Sequence, residues 1–215
     1  MNTGTPEVPQ NKSLKYYWHV EILGGPDKPF SWVRLWRRVR RSRSSHYLFW
    51  FRLADHLARK RNRMLKSMAK GINDGLITRH GTEIMLGAEI DEGLKVGHGL
   101  GIVVTKNVRI GKNFSIHQNT TIGVDYKGNA PIIIGDNVDI GANSCIIGTG
   151  IRIGNNVVIG AMSFVNKDIP DDHTYITEKT FRVISHAKAA CCFGASIDAA
   201  GQSSRPPSSV SAYLC

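Results

Sequence analysis

Three of the eight histidines, His80, His98 and His117, are separated by 18 and 19 residues. That interval forms a column only if the chain returns to the same place once per turn. Imidazole titrates near neutrality, so such a column could move protons, and its spacing raises the question of a bound metal ion. His19, His46, His56, His173 and His186 have no partner visible in the sequence. The four cysteines suggest less chemistry, since Cys191 and Cys192 are adjacent, Cys145 is isolated and Cys215 is terminal. They match neither a disulfide framework nor metal-ligand spacing and read as free thiols.

The element that would return the chain to one place begins at Ile84. Isoleucine or valine recurs every six residues at Ile84, Ile90, Val96 and Ile102, then two residues out of phase at Val104, Ile110, Ile116 and Ile122. After six inserted residues the period resumes at Ile134, Ile140 and Ile146, slips again, and continues at Ile153, Ile159 and Val165. A second small or apolar residue follows four places later, as at Ala88, Leu94, Leu100, Phe114, Thr120, Val138, Ser144, Val157 and Ser163. Seven Ile-Gly pairs fall within this stretch, where composition alone gives about two. Each unit reads as a short strand and a turn, with glycine expected where the turn wants a positive φ. Three units close a coil of eighteen, and stacked coils form three parallel sheets around an aliphatic core. Glycine content and period both exclude a helix here.

The 215 residues suit one sizeable core with attachments, and the composition excludes collagen-like, wholly disordered and membrane-embedded chains. The net charge of +11 is unevenly spread: residues 34–79 hold 14 Lys and Arg against Asp55 and Asp74, a net +12, leaving the rest at −1. Within that segment Trp50, Leu53, Ala54, Leu57, Met64, Leu65, Met68 and Ile72 keep helical spacing. This predicts a basic amphipathic helix or helix pair, with Trp36, Tyr47, Phe49, Trp50 and Phe51 clustered beside arginine. Such a segment either packs on the core with a solvated basic face or meets anionic lipid or another polyanion. Without a recognised binding motif, nucleic acid is not the expected partner. The domains expected are a loop-like lead-in over 1–33, the basic helical segment 34–79, the repeat domain 80–176, and a tail 177–215 that is disordered in its low-complexity part, residues 203–209. The amino terminus has no apolar core of a secretory signal, so a cytoplasmic location is expected, peripheral to the inner membrane face if the basic segment meets lipid.

The repeat, with Gly97-His98-Gly99-Leu100-Gly101-Ile102-Val103-Val104, Ile116-His117-Gln118-Asn119-Thr120-Thr121-Ile122-Gly123 and residues 131–160, resembles the hexapeptide-repeat acyltransferases, most of all their serine acetyltransferase branch. That resemblance implies a left-handed parallel β-helix, mainly β in class, usually trimeric, with acetyl-CoA as cosubstrate and sites in clefts between prisms. It places the catalytic base at His98, oriented by Glu83, with Gly123 a candidate oxyanion donor. It also implies that His117 lines the cleft, and that Gly141, Ala142, Gly160 and Ala161 receive the pantetheine arm, with Lys167 near its phosphates. A loop leaving a rigid solenoid commonly serves binding, which points to Asp125, Tyr126 and Lys127 for the acceptor. The metal-binding branch of this fold spaces its histidines differently, so no metal is expected.

Two departures bear on the acceptor. Serine O-acetyltransferases carry Asp before the catalytic histidine, where this chain has Gly97, and Arg-His before the proline closing the loop, where it has Asn129-Ala130. Those groups hold serine, so the expectation leans to a sugar hydroxyl in surface polysaccharide synthesis. Serine O-acetylation is the alternative, and a non-catalytic binding solenoid the third reading. A further departure, at residues 177–184, replaces the family's exit motif that seats the adenine end of the cofactor.

Overall fold

The computed structural model describes residues 12–25, 27, 29–125 and 128–178. The six-residue period folds into a parallel β-helix of three sheets. The first stacks β1 (Thr82–Ile84), β4 (Ile102–Val104), β7 (Thr121–Gly123), β10 (Cys145–Ile147) and β13 (Phe164–Val165). The second stacks β2 (Glu89–Ile90), β5 (Val108–Ile110), β8 (Ile132–Ile134) and β11 (Arg152–Ile153). The third stacks β3 (Lys95–Val96), β6 (Ser115–Ile116), β9 (Asp139–Ile140), β12 (Val158–Ile159) and β14 (Thr174–Tyr175). Every pairing is parallel, and the register sets Val96 beside Ile116, Ile116 beside Ile140, and Ile140 beside Ile159. Ile84, Ile90, Val96, Ile102 and their successors in the repeat are all buried. Alternate side chains of a strand face opposite sides, so one inward aliphatic per short strand suffices to fill the prism.

The second inward position holds at every site named above except Leu100, which is 55% exposed. The corner between β3 and β4 carries two extra residues, since Val96 and Val104 are eight apart whereas the stacked Ile116 and Ile122 are six apart. That surplus lifts Leu100 out of the core and over Gly81.

The Ile-Gly glycines answer to close approach between coils rather than to φ. A Cβ on Gly135 would lie 2.7 Å from the Gly154 carbonyl carbon, and one on Gly141 would lie 2.5 Å from the Ala161 nitrogen. Positive φ falls on other glycines, Gly87, Gly93, Gly101 and Gly150, and on Asn113, Asn119, Asn137, Asn143 and Asn156, asparagine being the non-glycine residue type that best tolerates it. Their amides stack from coil to coil: Asn113 donates to Asn137 (2.9 Å), Asn137 to Asn156 (3.0 Å) and Asn156 to Asp172 (2.8 Å).

Helices pack on the first coils. The lead-in read as loop contains α1 (Leu14–Trp18), running into a π-helical turn (His19–Leu23) that ends at Gly24 in the left-handed region. Then follow α2 (Trp32–Arg41), α3 (Arg43–Ala58) and α4 (Arg63–His80). Serine side chains set two of these starts, Ser31 accepting from the Arg34 amide and Ser42 from the Ser45 amide. Gly81, with φ 63°, ends α4 and turns the chain into β1. Trp18 stacks on Phe49 at 4.4 Å and donates its indole N–H to the Phe49 carbonyl, which holds α1 and the π-helical turn against α3. Arg52, 3% exposed, joins helices to prism: it pairs with buried Glu21 and donates to the carbonyls of Ile90 (2.8 Å) and Asp91 (2.6 Å). Among the described residues no helix is long and apolar enough to cross a membrane. The tail beyond residue 178, with its departure from the family exit motif, lies outside the described residues.

Candidate functional site

His98 occupies the two-residue surplus between β3 and β4, exposed and with φ 56°. A histidine held in the left-handed region is presented by its corner rather than laid along a strand. It faces a cavity of about 380 Å³ between this corner and the start of α3, lined also by Arg43, Ser44, Tyr47, His80 and Gly99. The Ser44 hydroxyl donates to the Val96 carbonyl at 3.0 Å, fixing α3 to the corner. Tyr47 is buried and its hydroxyl has no hydrogen-bond partner of acceptable geometry, although the Ile84 main chain lies beside it. Burial raises the Tyr47 pKa, and the Glu83 carboxylate pushes it the same way.

The coil register gathers part of the predicted set on one edge. With Val96, Ile116, Ile140 and Ile159 stacked, the residues that follow them, Gly97, His117, Gly141 and Gly160, stack too, and His98, Ala142 and Ala161 come next along that corner. A Cβ on Gly97 would lie 2.7 Å from His117 Nδ1, so Gly97 leaves room for that ring. His117 Nε2 lies 3.5 Å from an Asp139 carboxylate oxygen.

Other members lie elsewhere. Glu83 is not at a corner: it is the middle residue of β1, in register with Val103. No hydrogen bond or ion pair joins it to His98 in the single chain. Gly123 ends β7 and Asp125 lies two residues further on, in the loop after it, at the opposite edge of the first sheet from His98. The three-residue strand between them spans roughly 10 Å. Asp125 accepts from the Thr149 hydroxyl, Lys167 is exposed after β13 at that same far edge, and Tyr126 and Lys127 lie outside the described residues.

The histidine column is also revised. His80 is the last residue of α4 rather than part of a coil, and its Nε2 lies 3.1 Å from His46 Nδ1. Among the described residues no group of three or more His, Cys, Asp or Glu is placed to hold a metal ion. Sequence reasoning missed Arg43, Ser44 and Tyr47 as walls of the His98 cavity, because only helix packing brings them there.

Burial, reinforced by His46, Arg43 and Arg79, pushes the His80 pKa down to about 4. The unfolded chain takes up that proton near pH 6.5. Between roughly pH 6.5 and 4 the unfolded state therefore binds more protons, so stability falls as pH drops through this window and is full above it. His46, lowered by burial and Arg79, acts in the same direction. The melting temperature is expected to fall on acidification, and to fall less in His80→Asn. An identical fall in both proteins would remove His80 as the cause.

A three-sheet parallel solenoid of hexads, with a histidine on a corner surplus beside a cavity, defines a hexapeptide-repeat transferase architecture. The comparisons agree. The family model described as the hexapeptide repeat of succinyl-transferase matches residues 131–167. A serine acetyltransferase of Helicobacter pylori is 33% identical over 140 residues, covering 62% of this chain and 77% of the relative. One from Staphylococcus epidermidis is 39% identical over 98 residues, 45% of this chain and 46% of the relative. Among solved structures, serine acetyltransferase from Brucella abortus is 27% identical with TM-score 0.56, over 63% of this chain and 54% of that one. Isoform 3 from Entamoeba histolytica, at 24% identity, shares the fold with TM-score 0.62, over 80% of this chain and 60% of that one. The chain thus belongs to the serine acetyltransferase family of hexapeptide-repeat acyltransferases, while spanning little more than half the length of these solved relatives.

Proposed function

We propose that the protein transfers an acetyl group from acetyl-CoA to a hydroxyl, with L-serine the acceptor that its relatives' names support. The observation that carries this reading is His98, presented on the corner surplus toward the cavity, with Gly141 and Gly160 stacked along the same edge. Solved relatives include a serine acetyltransferase in complex with CoA and the Brucella abortus enzyme in complex with coenzyme A. In the proposed step His98 takes the acceptor hydroxyl proton as the oxygen attacks the thioester carbonyl. The tetrahedral oxyanion collapses, the C–S bond breaks, and the proton passes from the imidazolium to the departing thiolate. Glu83 would orient the base, its carboxylate being close enough to Tyr47, a wall of the His98 cavity, to act on that hydroxyl electrostatically.

Gly123, Asp125 and Lys167 meet His98 only if the far edge of one copy faces the corner of another, so the reading takes the working form as an oligomer, a trimer by family resemblance. A sugar hydroxyl is the second reading, favoured by Gly97 and Asn129-Ala130 in place of the charged residues that hold serine in the family. The test is release of free thiol from acetyl-CoA with L-serine and with a panel of sugars and glycans. Turnover confined to serine supports the first acceptor and turnover confined to a sugar supports the second. No turnover, together with no acetyl-CoA binding by calorimetry, leaves a binding solenoid.

A further inference from the structure

Most of the aromatics that made residues 34–79 look like a membrane-facing surface are packed inside. Tyr47, Phe49 and Phe51 are buried and Trp50 is partly buried. The exposed aromatic surface lies instead on α2, where Trp32 is 53%, Val33 78% and Trp36 46% exposed. The helix has ten residues, five of them arginine and none acidic. Leu35 and Val39 are buried against the neighbouring helices. Arg34 and Arg38 turn back, donating to the carbonyls of Pro29 and Ile22. At 100° per residue the remaining six, Trp32, Trp36, Arg40, Val33, Arg37 and Arg41, fill one continuous outward half of the helix. They line a shallow groove, and Arg37, Arg40 and Arg41 have no acidic partner among the described residues.

We infer that this face of α2 docks the protein on an anionic phospholipid bilayer. Indole rings settle at the boundary between headgroups and acyl chains, a valine among them adds apolar area, and flanking arginines reach the phosphates along their aliphatic stems. Three unpartnered cations beside two exposed tryptophans on one short helix complement a surface that is negative above and apolar below. Soluble polyanions would use the arginines and leave the indoles in water. The inference is independent of the acetyl acceptor.

The test uses the full chain and vesicles of phosphatidylglycerol and phosphatidylcholine, compared with phosphatidylcholine alone, in sedimentation and tryptophan emission assays. Binding is expected only with the anionic lipid, weakening as salt rises, with emission moving to the blue and quenched by lipids brominated near the headgroup. The triple variant R37Q/R40Q/R41Q should lose roughly a hundredfold in affinity at low salt, since each basic side chain near an anionic surface contributes about a factor of five. W32A/W36A should lose binding and the emission change while keeping the wild-type circular dichroism at the assay temperature; because Trp32 packs on Trp18 and Phe30 and Trp36 on Phe49, its melting temperature falls, so binding is read well below that transition. Equal binding to both vesicle types would overturn the inference, as would unchanged binding in either variant. It would equally fail if a polyanion such as heparin bound as tightly and vesicles produced no emission change, or if W32A/W36A changed the oligomeric mass, which would make this face a contact between copies.

Discussion

Replacing His98 with alanine is expected to lower kcat/KM for acetyl transfer by about 10²- to 10⁴-fold, the range that general-base catalysis supplies. The effect should fall on kcat, because the ring is asked to move a proton during reaction more than to hold the ground state. Alanine at this corner carries a second consequence. With φ 56°, a non-glycine residue pays roughly 1 kcal/mol or more of backbone strain that asparagine tolerates better. His98→Asn is therefore the sharper variant: it keeps the corner and the melting temperature and removes the base. Both variants should retain acetyl-CoA binding by calorimetry, since the stacked edge at Gly141 and Gly160 is untouched. Activity within tenfold of wild type in His98→Asn would displace His98 from the base position, leaving His117, next along the same edge, as the candidate to examine.

The second large effect concerns stability. Arg52 and Glu21 are both buried, and the pair holds together three parts of the molecule: the π-helical turn, α3 and the first coil. Glu21 also accepts from the Leu94 amide at 3.2 Å, and the Arg52 guanidinium sits 4.2 Å from the Tyr17 ring centroid. Removing either partner strands the other charge in a dry site, which costs about 3–5 kcal/mol. Arg52→Ala further leaves the Ile90 and Asp91 carbonyls without that donor. In a chain of this size each kcal/mol lowers the melting temperature by about 2–4 °C, so a fall of roughly 6–20 °C is expected for Arg52→Ala or Glu21→Ala. Coils of a solenoid contact mainly their neighbours. Hydrogen exchange should accordingly lose protection first in α3 and residues 90–94, with coils near β12 little changed. A melting temperature within about 2 °C of wild type would show that the pair contributes little beyond what its replacement recovers.

The repeat was legible because each coil meets the same contacts again about eighteen residues later, so the demand for an inward aliphatic is written locally, at Ile110, Ile116 and Ile122 as at Ile134, Ile140 and Ile146. The positive-φ ladder is written just as locally, since Asn stands three residues before Ile at Asn113, Asn119, Asn137, Asn143 and Asn156. Glycine does take positive φ at Gly87, Gly93, Gly101 and Gly150, whereas the Ile-Gly glycines serve the spacing between coils.

The slip of phase between Ile102 and Val104 marked, from sequence alone, the corner that presents His98, and the stacking of Gly141 and Gly160 on the same edge followed from the register. Tertiary structure alone decided the surroundings. It set Glu83 in mid-strand, put Gly123 and Asp125 on the opposite edge of the first sheet, and brought Tyr47 and Arg43 to the cavity wall. It also turned Phe49 and Phe51 inward while leaving Trp32 and Trp36 outside. The physical reason is range: a coil's interior is dictated by residues one turn away, whereas the face a helix buries depends on which surface of the prism and which neighbouring helix it meets.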